Sequence, residues 1–275
     1  MASRGVASYN APEVKPPTKK SMPTAFVQGF RVLLQEALAE KDVESQKKLT
    51  GCVGVYAFYD YDREPIYVGQ TWESFGIRIR RHLTGQRSDT LAYRILDPFE
   101  VAEVELWPTE GLRAKFAAMS KLTTDKNELK KIGDEKRKAL DAIEYSVYLA
   151  AIAGSKYHAI LNEKIPPVST PVALPASQRF VLVPPKLREE REHPDVRIAR
   201  RAETLARVAA VAHERGEVSS GLRRVIVIQA VRLADLAAAR LAYAEGRSRP
   251  SPTAIDVKEL VGNVMAESND EDADD

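Results

Sequence analysis

Two tyrosines, Tyr56 and Tyr67, lie in adjacent segments whose apolar residues alternate as they do in β-strands. A polar turn separates the two segments. With that turn centred between Tyr61 and Asp62, antiparallel pairing places Tyr56 directly opposite Tyr67, with both phenols on one face. Paired tyrosines are also ordinary sheet neighbours, so this pair alone does not distinguish chemistry from packing.

A helix predicted at 76–83 carries an arginine and a histidine one turn apart, Arg78 and His82, beside its apolar stripe. Both side chains should therefore lean towards the edge of the core, where polar groups need partners. A phosphodiester fits this position, because a guanidinium can donate two hydrogen bonds to one phosphate. Pairing of Arg78 with a nearby carboxylate is the alternative. Arg80 and Arg81 project elsewhere on the same helix.

A carboxylate, Glu144, falls within the apolar stripe of a long helix predicted at 125–153. A buried carboxylate is costly unless a cation pairs with it, and that cation is either an arginine or a metal ion. Mg²⁺ bound through one carboxylate, phosphate oxygens and waters is a common solution. Beyond this helix, Asn162 follows the apolar pair Ile160 and Leu161 as the chain returns towards the sheet.

A framework of strands and helices must hold these side chains in place. The sequence predicts helices at 26–40, 76–83, 109–121 and 125–153 and strands at 53–59, 65–69 and 101–107. Proline-rich segments surround a possible strand at 179–183, and helices follow at 195–215, 219–245 and 254–265. The chain then divides into a basic arm expected to be disordered (1–22), a lead-in helix (23–49), a central α/β domain that holds the candidate residues (50–165), a proline-rich linker (166–185), an α-helical region (186–265) and an acidic tail expected to be disordered (266–275).

Together these motifs resemble the GIY-YIG nuclease family, whose two name motifs are represented here by Gly54-Val55-Tyr56 and Tyr67-Val68-Gly69. The family's later signatures are matched in order by Arg78, His82, Glu144 and Asn162. The spacings from Tyr67 to Arg78 and from Glu144 to Asn162 are slightly longer than the family's. The resemblance implies an α/β fold of the α+β type, in which helices flank a small mixed or antiparallel three-stranded sheet, followed here by an α-helical C-terminal region.

The resemblance also implies a reaction, the hydrolysis of phosphodiester bonds in DNA by in-line attack of water with a single divalent metal ion, Mg²⁺ or Mn²⁺. Glu144 would hold the metal, Arg78 would stabilise charge on the phosphate, and Tyr67 would orient the water or the phosphate. Either Tyr56 or His82 would accept the proton, and both alternatives stay open. Asn162 would organise the site through hydrogen bonds. Arg78, Arg80 and Arg81 are the candidate nucleic-acid contacts.

Composition and charge place further bounds on the function. The single cysteine, Cys52, cannot form an internal disulfide, and with four scattered histidines the chain lacks the ligands of a structural zinc site. No apolar run is long enough to span a membrane, so we expect a cytoplasmic protein without a membrane partner. Residues 267–275 hold six acids; without them 41 basic residues face 33 acidic ones, a balance that attracts polyanions.

Two other classes of function compete with an active nuclease. The chain could be a nucleic-acid-binding protein that keeps the fold but does not cut, or a regulatory adaptor acting through its C-terminal helices. Those helices are rich in arginine, which favours DNA contacts, although pairing with their own acids on solvated faces is the simpler interpretation. A helical hairpin of this kind could also form a homodimer contact. The eight arginines concerned are Arg197, Arg200, Arg201, Arg207, Arg223, Arg224, Arg232 and Arg240.

Overall fold

The computed structural model of the chain describes residues 22–84 and 95–267, so the expected basic arm and acidic tail lie almost wholly outside the described residues. The helices are α1 (Ala25–Ala39), α2 (Phe75–Leu83), α3 (Glu110–Ser120), α4 (Lys126–Gly154), α5 (Pro185–Glu192), α6 (Pro194–Arg215), α7 (Ser220–Ala244) and α8 (Val257–Val261). The strands are β1 (Gly54–Tyr59), β2 (Pro65–Thr71), β3 (Glu103–Pro108) and β4 (Gln178–Val181).

The sheet is antiparallel and has the strand order β2-β1-β3-β4. Three of its strands, β1, β2 and β3, are the ones expected from the sequence. The fourth strand, β4, comes from the possible strand within the proline-rich segment and pairs with β3 from Glu103 opposite Val181 to Leu106 opposite Gln178. The segment expected to be a linker therefore supplies an edge strand, and the described sheet has four strands rather than three.

The register of the first hairpin differs from the expected one. Tyr56 pairs with Gly69, and Tyr67 pairs with Phe58. The turn is centred about one residue later than predicted, because the Asp60 side chain accepts hydrogen bonds from the backbone of Asp62 and Glu64 and closes a longer loop. The prediction that the tyrosines lie directly opposite each other was wrong. A shift of two pairing positions preserves the face, so both phenols still project to the same side.

The long helix α4 packs against β2 and β1. Its C-terminal half supplies buried residues, among them Leu140 and Val147, while its N-terminal half extends into solvent. The helix ends at Gly154, one residue beyond the predicted end at 153. Across residues 22–84 and 95–267, no helix has the length and apolar character needed to span a membrane.

A buried ion cluster joins the hairpin of α6 and α7 to the loop between β1 and β2. One oxygen of Asp60 lies within 3.2 Å of guanidinium nitrogens from Arg197, Arg201 and Arg232. Glu100 binds Arg201 at 3.0 Å. All five side chains are buried. These three arginines therefore stabilise the docking of the C-terminal helices and do not form a DNA-contacting surface.

Four acids of the C-terminal helices, Glu203, Glu214, Glu217 and Asp235, are the partners that the sequence suggests for the eight arginines, but within residues 22–84 and 95–267 only Glu203 forms an ion pair with one of them. Glu203 does contact Arg207, at 3.8 Å along one helix. Asp235 instead pairs with Lys156 and Arg249. The periodicity of the helices could not reveal this, because the true partners of the buried arginines come from loops of the preceding domain, distant in sequence.

Candidate active site

The Tyr56 hydroxyl lies at the centre of a short hydrogen-bond chain. Its oxygen accepts a hydrogen bond from Arg78 Nε at 3.3 Å and lies 2.9 Å from His82 Nε2. The hydroxyl has one hydrogen of its own, which His82 Nε2 can accept if the imidazole is neutral and protonated on Nδ1. The side chains of β1 and α2 thus give the order Arg78, Tyr56, His82, with the phenol between a cation and a base.

The imidazole of His82 is in a state suited to accepting a proton. Burial lowers its pKa to about 4, and the charges of Arg78 and Arg81 act in the same direction. His82 is therefore neutral at pH 7. Burial also raises the pKa of the Tyr56 phenol well above its ordinary value, although Arg78 opposes the shift. Tyr56 cannot exist as a phenolate at neutral pH by itself, so proton uptake requires its partner.

The second name motif ends in Gly69, and the packing around Tyr56 explains why this position has no side chain. Gly69 lies opposite Tyr56 on the neighbouring strand. A Cβ at Gly69 would stand 2.6 Å from the Tyr56 hydroxyl oxygen, closer than carbon and oxygen can approach without displacement. The absence of a side chain on β2 therefore creates the space that the hydroxyl occupies.

Five of the six predicted catalytic side chains line one cavity of about 370 Å³. They are Tyr67, Arg78, His82, Glu144 and Asn162. Tyr56 lies behind this wall with none of its surface exposed, and its ring centroid is 6.2 Å from that of Tyr67. A larger cavity of about 460 Å³ next to α7 and α8 contains none of the predicted residues. The chemistry-bearing groups thus converge at the smaller cavity.

Glu144 reaches the cavity from α4 and is only 8% exposed. Burial raises the pKa of its carboxyl to about 8, and Asp141 one helical turn earlier adds to the shift, while Arg78 and Gln70 oppose it. Without a further cation the carboxyl is therefore mostly protonated at pH 7. A divalent cation would remove this penalty by pairing with the charged form.

The donor set around Glu144 fits a hard divalent ion. Gln70 donates a hydrogen bond to Asp141 at 2.6 Å, and its own oxygen is buried without a partner among the described residues. In residues 22–84 and 95–267, no three carboxylate, imidazole or thiolate side chains gather as a metal-binding group. Glu144 thus offers one carboxylate beside an open cavity, the arrangement in which Mg²⁺ completes its coordination with phosphate oxygens and waters.

Asn162 lines the cavity, and its side-chain amide forms hydrogen bonds with the backbone of β2. It accepts a hydrogen bond from Val68 N at 3.0 Å and donates one to Val68 O at 2.8 Å. Leu161 N donates to Ile66 O, so this segment runs along the free edge of β2. The two amide bonds fix the strand next to Tyr67. Asn162 therefore contributes to the site by holding β2 in position.

The two further arginines of α2 differ from Arg78. Arg80 is exposed, and Arg81 pairs with Glu73 at 3.0 Å on a partly exposed surface. Both remain candidates for contact with nucleic acid outside the cavity. Sequence reasoning did not identify Asp141 or Lys164, which lie beside Glu144 and on the cavity wall respectively. The spacing of three residues between Asp141 and Glu144 on one helix was the available signal for the first; nothing in the pattern indicated the second.

Comparison with protein families matches residues 52–141 to the GIY-YIG catalytic domain. The matched residues include Tyr56, Tyr67, Arg78 and His82 and end three positions before Glu144. No curated protein and no solved structure matches the chain. The match covers the β1–β2 hairpin, α2, β3, α3 and the first half of α4. It includes the part of the cavity wall that β2 and α2 form, and the part formed by Glu144 and residues 162–167 lies beyond it. The chain therefore contains, in residues 52–141, a GIY-YIG catalytic domain, the domain of a family of nucleases.

Proposed function

We propose that the chain is a divalent-metal-dependent endonuclease that hydrolyses phosphodiester bonds in DNA by in-line attack of water. The observation that carries this proposal is the convergence of the Arg78–Tyr56–His82 hydrogen-bond chain and Glu144 on one cavity. A cation, a neutral base and a buried carboxylate are the groups that phosphodiester hydrolysis requires. The match of residues 52–141, which include Tyr56, Arg78 and His82, to a GIY-YIG catalytic domain supports the same reaction.

Each side chain has a role that follows from its place in the cavity. Arg78, half-buried on the wall, binds the scissile phosphate and stabilises the charge on its oxygens. Tyr67 lines the cavity and orients the attacking water. Because the Tyr56 hydroxyl has no exposed surface in the unbound structure, the proposal requires the cavity wall in front of it to open when DNA binds. The water's proton then passes to the Tyr56 oxygen as the Tyr56 proton moves to His82 Nε2, so no free phenolate forms. The new bond forms between the water oxygen and phosphorus, the bond to the 3′ oxygen breaks, and the leaving 3′ oxygen takes a proton from solvent.

Glu144 is the protein ligand for Mg²⁺ or Mn²⁺ in this proposal. A bound ion would supply charge neutralisation on the phosphate and on the leaving 3′ oxygen. Glu144 would hold it as the carboxylate, so its carboxyl, whose pKa burial raises to about 8, would give up its proton when the ion binds. Asn162 keeps β2 and Tyr67 in register through its two bonds to Val68.

Nicking of supercoiled plasmid DNA tests this function. The purified chain should convert the plasmid to its open-circular form with Mg²⁺ or Mn²⁺, and a chelator should stop the conversion. Arg78→Ala should abolish nicking. Arg113→Ala, which changes an exposed arginine on α3, is the matched control and should nick as the wild type does. Nicking that persists with the chelator, or an Arg78→Ala protein as active as the control, would contradict the proposal.

A further inference from the structure

The N-terminal half of α4 is largely exposed, although α4 contacts α3 and Lys136 lies 4.2 Å from the centroid of the Trp72 ring. Every residue from 124 to 131 is exposed, and buried positions begin only at Leu140. The helix nevertheless continues without a break into the half that carries Glu144. A rigid, solvated extension thus projects from the candidate active site.

One face of this extension is aligned with Glu144. In an α-helix each residue turns by about 100°, so Lys126, Lys130 and Arg137 lie within about 40° of the Glu144 direction. The acids Glu128 and Glu135 lie about 160° to 180° away from that direction. The cations and these acids therefore occupy opposite faces. At a rise of 1.5 Å per residue, the three cations lie about 10 to 27 Å along the axis from Glu144.

The three cations remain available for a partner. Lys126 and Lys130 are exposed and form no ion pair within residues 22–84 and 95–267. Arg137 is 71% exposed on its side chain and has only a loose contact with Asp134 at 3.6 Å. Such an exposed pair contributes little and is readily exchanged for a stronger anion.

A glycine lies in the middle of this row. Gly133 falls between Lys130 and Arg137 on the same face, although glycine in a helix interior lowers helix stability. No described atom lies within 4 Å of the position that a Cβ would take there. Internal packing therefore gives no reason for the glycine. A smooth surface at this position allows an external backbone to approach the helix axis closely.

We propose that the face formed by Lys126, Lys130, Gly133 and Arg137 binds the phosphate backbone of duplex DNA flanking the scissile phosphate. This inference rests on the proposed function, because it takes Glu144 as the point where the DNA is cut. Along the helix axis, the row spans about 16 Å and ends about 10 Å from Glu144. The distance from Glu144 to the far end of the row, about 27 Å, corresponds to about eight base pairs at 3.4 Å per pair. Exposed cations and an unobstructed glycine are complementary to a regular polyanion. Two acids, Asp134 and Asp141, lie at one border of this face, about 80° and 60° from the Glu144 direction, and Glu128 and Glu135 lie on the opposite side.

Two double variants with the same change of charge on the same helix test the proposal. Lys130→Gln/Arg137→Gln removes two cations from the proposed face. Lys131→Gln/Lys138→Gln removes two from positions about 120° to 140° away from the Glu144 direction. Binding of a fluorescent 30-base-pair duplex is measured by anisotropy over a series of salt concentrations in the full chain, with helix content checked by circular dichroism.

Lys130→Gln/Arg137→Gln should bind the duplex at least fivefold more weakly. The number of phosphate contacts obtained from the salt dependence of its affinity should fall by about two. The control should change less than twofold. Equal losses in the two variants would overturn the proposed face, whether or not the wild type cuts DNA. Wild-type protein that binds through this face but never nicks plasmid would overturn the proposed function alone, and wild-type protein that does not bind the duplex would overturn both.

Discussion

A buried phenol is a poor base, and the environment of Tyr56 explains how it can take part in proton transfer. Burial raises the pKa of Tyr56, while His82, with a pKa lowered to about 4 by burial and nearby arginines, stays neutral over the whole physiological range. Arg78 stabilises any negative charge that develops on the phenol oxygen. Proton movement is therefore shared between Tyr56 and His82, and neither side chain needs an accessible pKa near 7.

Tyr56→Phe tests this sharing. The substitution removes the oxygen between Arg78 and His82, so we expect cleavage to fall by about 10² to 10⁴, the range for a lost acid–base group. Stability should fall by about 1 to 3 kcal/mol, because the hydroxyl takes part in two hydrogen bonds and His82 would be left buried without its partner. Tyr59→Phe is the matched control, because its hydroxyl binds Glu105 outside the cavity. Cleavage rates from a labelled duplex and urea unfolding measure both effects. Equal activity in the two variants would contradict the shared role.

The raised pKa of Glu144 should make the free energy of unfolding of the metal-free protein depend on pH. Because burial raises its folded-state pKa from 4.5 to about 8, the protonated form stabilises the metal-free fold. This contribution is complete below about pH 4.5 and is lost as the pH rises through about 8. Urea unfolding with chelator should show a loss on the order of 3 kcal/mol between pH 5 and 8 that Glu144→Gln lacks. The same pH dependence in both proteins would show that Glu144 does not titrate in this way.

At the scale of elements, the packing of β1 against β2 determines the site. Gly69→Ala should force the Tyr56 hydroxyl away from His82, because the new methyl would lie 2.6 Å from it. We expect a stability loss of about 1 to 3 kcal/mol, as for an overpacked core, and a large loss of cleavage. Gly51→Ala is the control, since no described atom lies within 4 Å of its Cβ position. Full activity of Gly69→Ala would contradict the close fit.

The sequence predicted most elements of the nuclease domain because their periodicity is local. Tyr56, Tyr67, Arg78 and His82 could be placed on strands and a helix from their spacing, and the structure brings them together. The register of the β1–β2 hairpin was not predictable, since it depends on the loop that the Asp60 side chain closes. The function of Asn162 in holding Val68 was equally hidden, because it joins residues 94 positions apart.

At the scale of the whole molecule, the C-terminal helices are attached to the nuclease domain by buried charge. Asp60→Asn would leave Arg197, Arg201 and Arg232 around a neutral amide, and breaking such a buried cluster costs about 3 to 5 kcal/mol. Glu203→Gln removes an exposed carboxylate with a long contact to Arg207 and should cost less than about 1 kcal/mol. Urea unfolding compares the two. Equal stability would show that the buried cluster does not hold the helices in place.

The same buried cluster explains why the sequence did not reveal the ion-pair partners of the C-terminal arginines. Helical periodicity identified α6 and α7 but treated their charges as pairing within the hairpin. The acids that bind Arg201 are Asp60 and Glu100, about 100 or more positions earlier in the chain. A fragment ending near residue 185 would leave those acids without their cations, so DNA-binding tests are better made on point variants of the full chain.

The central claim is that Glu144 holds the catalytic metal ion. It is tested most directly by comparing plasmid cleavage by Glu144→Gln with cleavage by Glu135→Gln, which lies on the exposed opposite side of the same helix. Both variants remove one negative charge from α4. With Mg²⁺ or Mn²⁺, we expect Glu135→Gln to nick plasmid at the wild-type rate and Glu144→Gln to show no nicking while remaining folded. A folded Glu144→Gln protein that nicks as fast as Glu135→Gln would contradict the assignment of Glu144 as the metal ligand and, with it, the proposed mechanism.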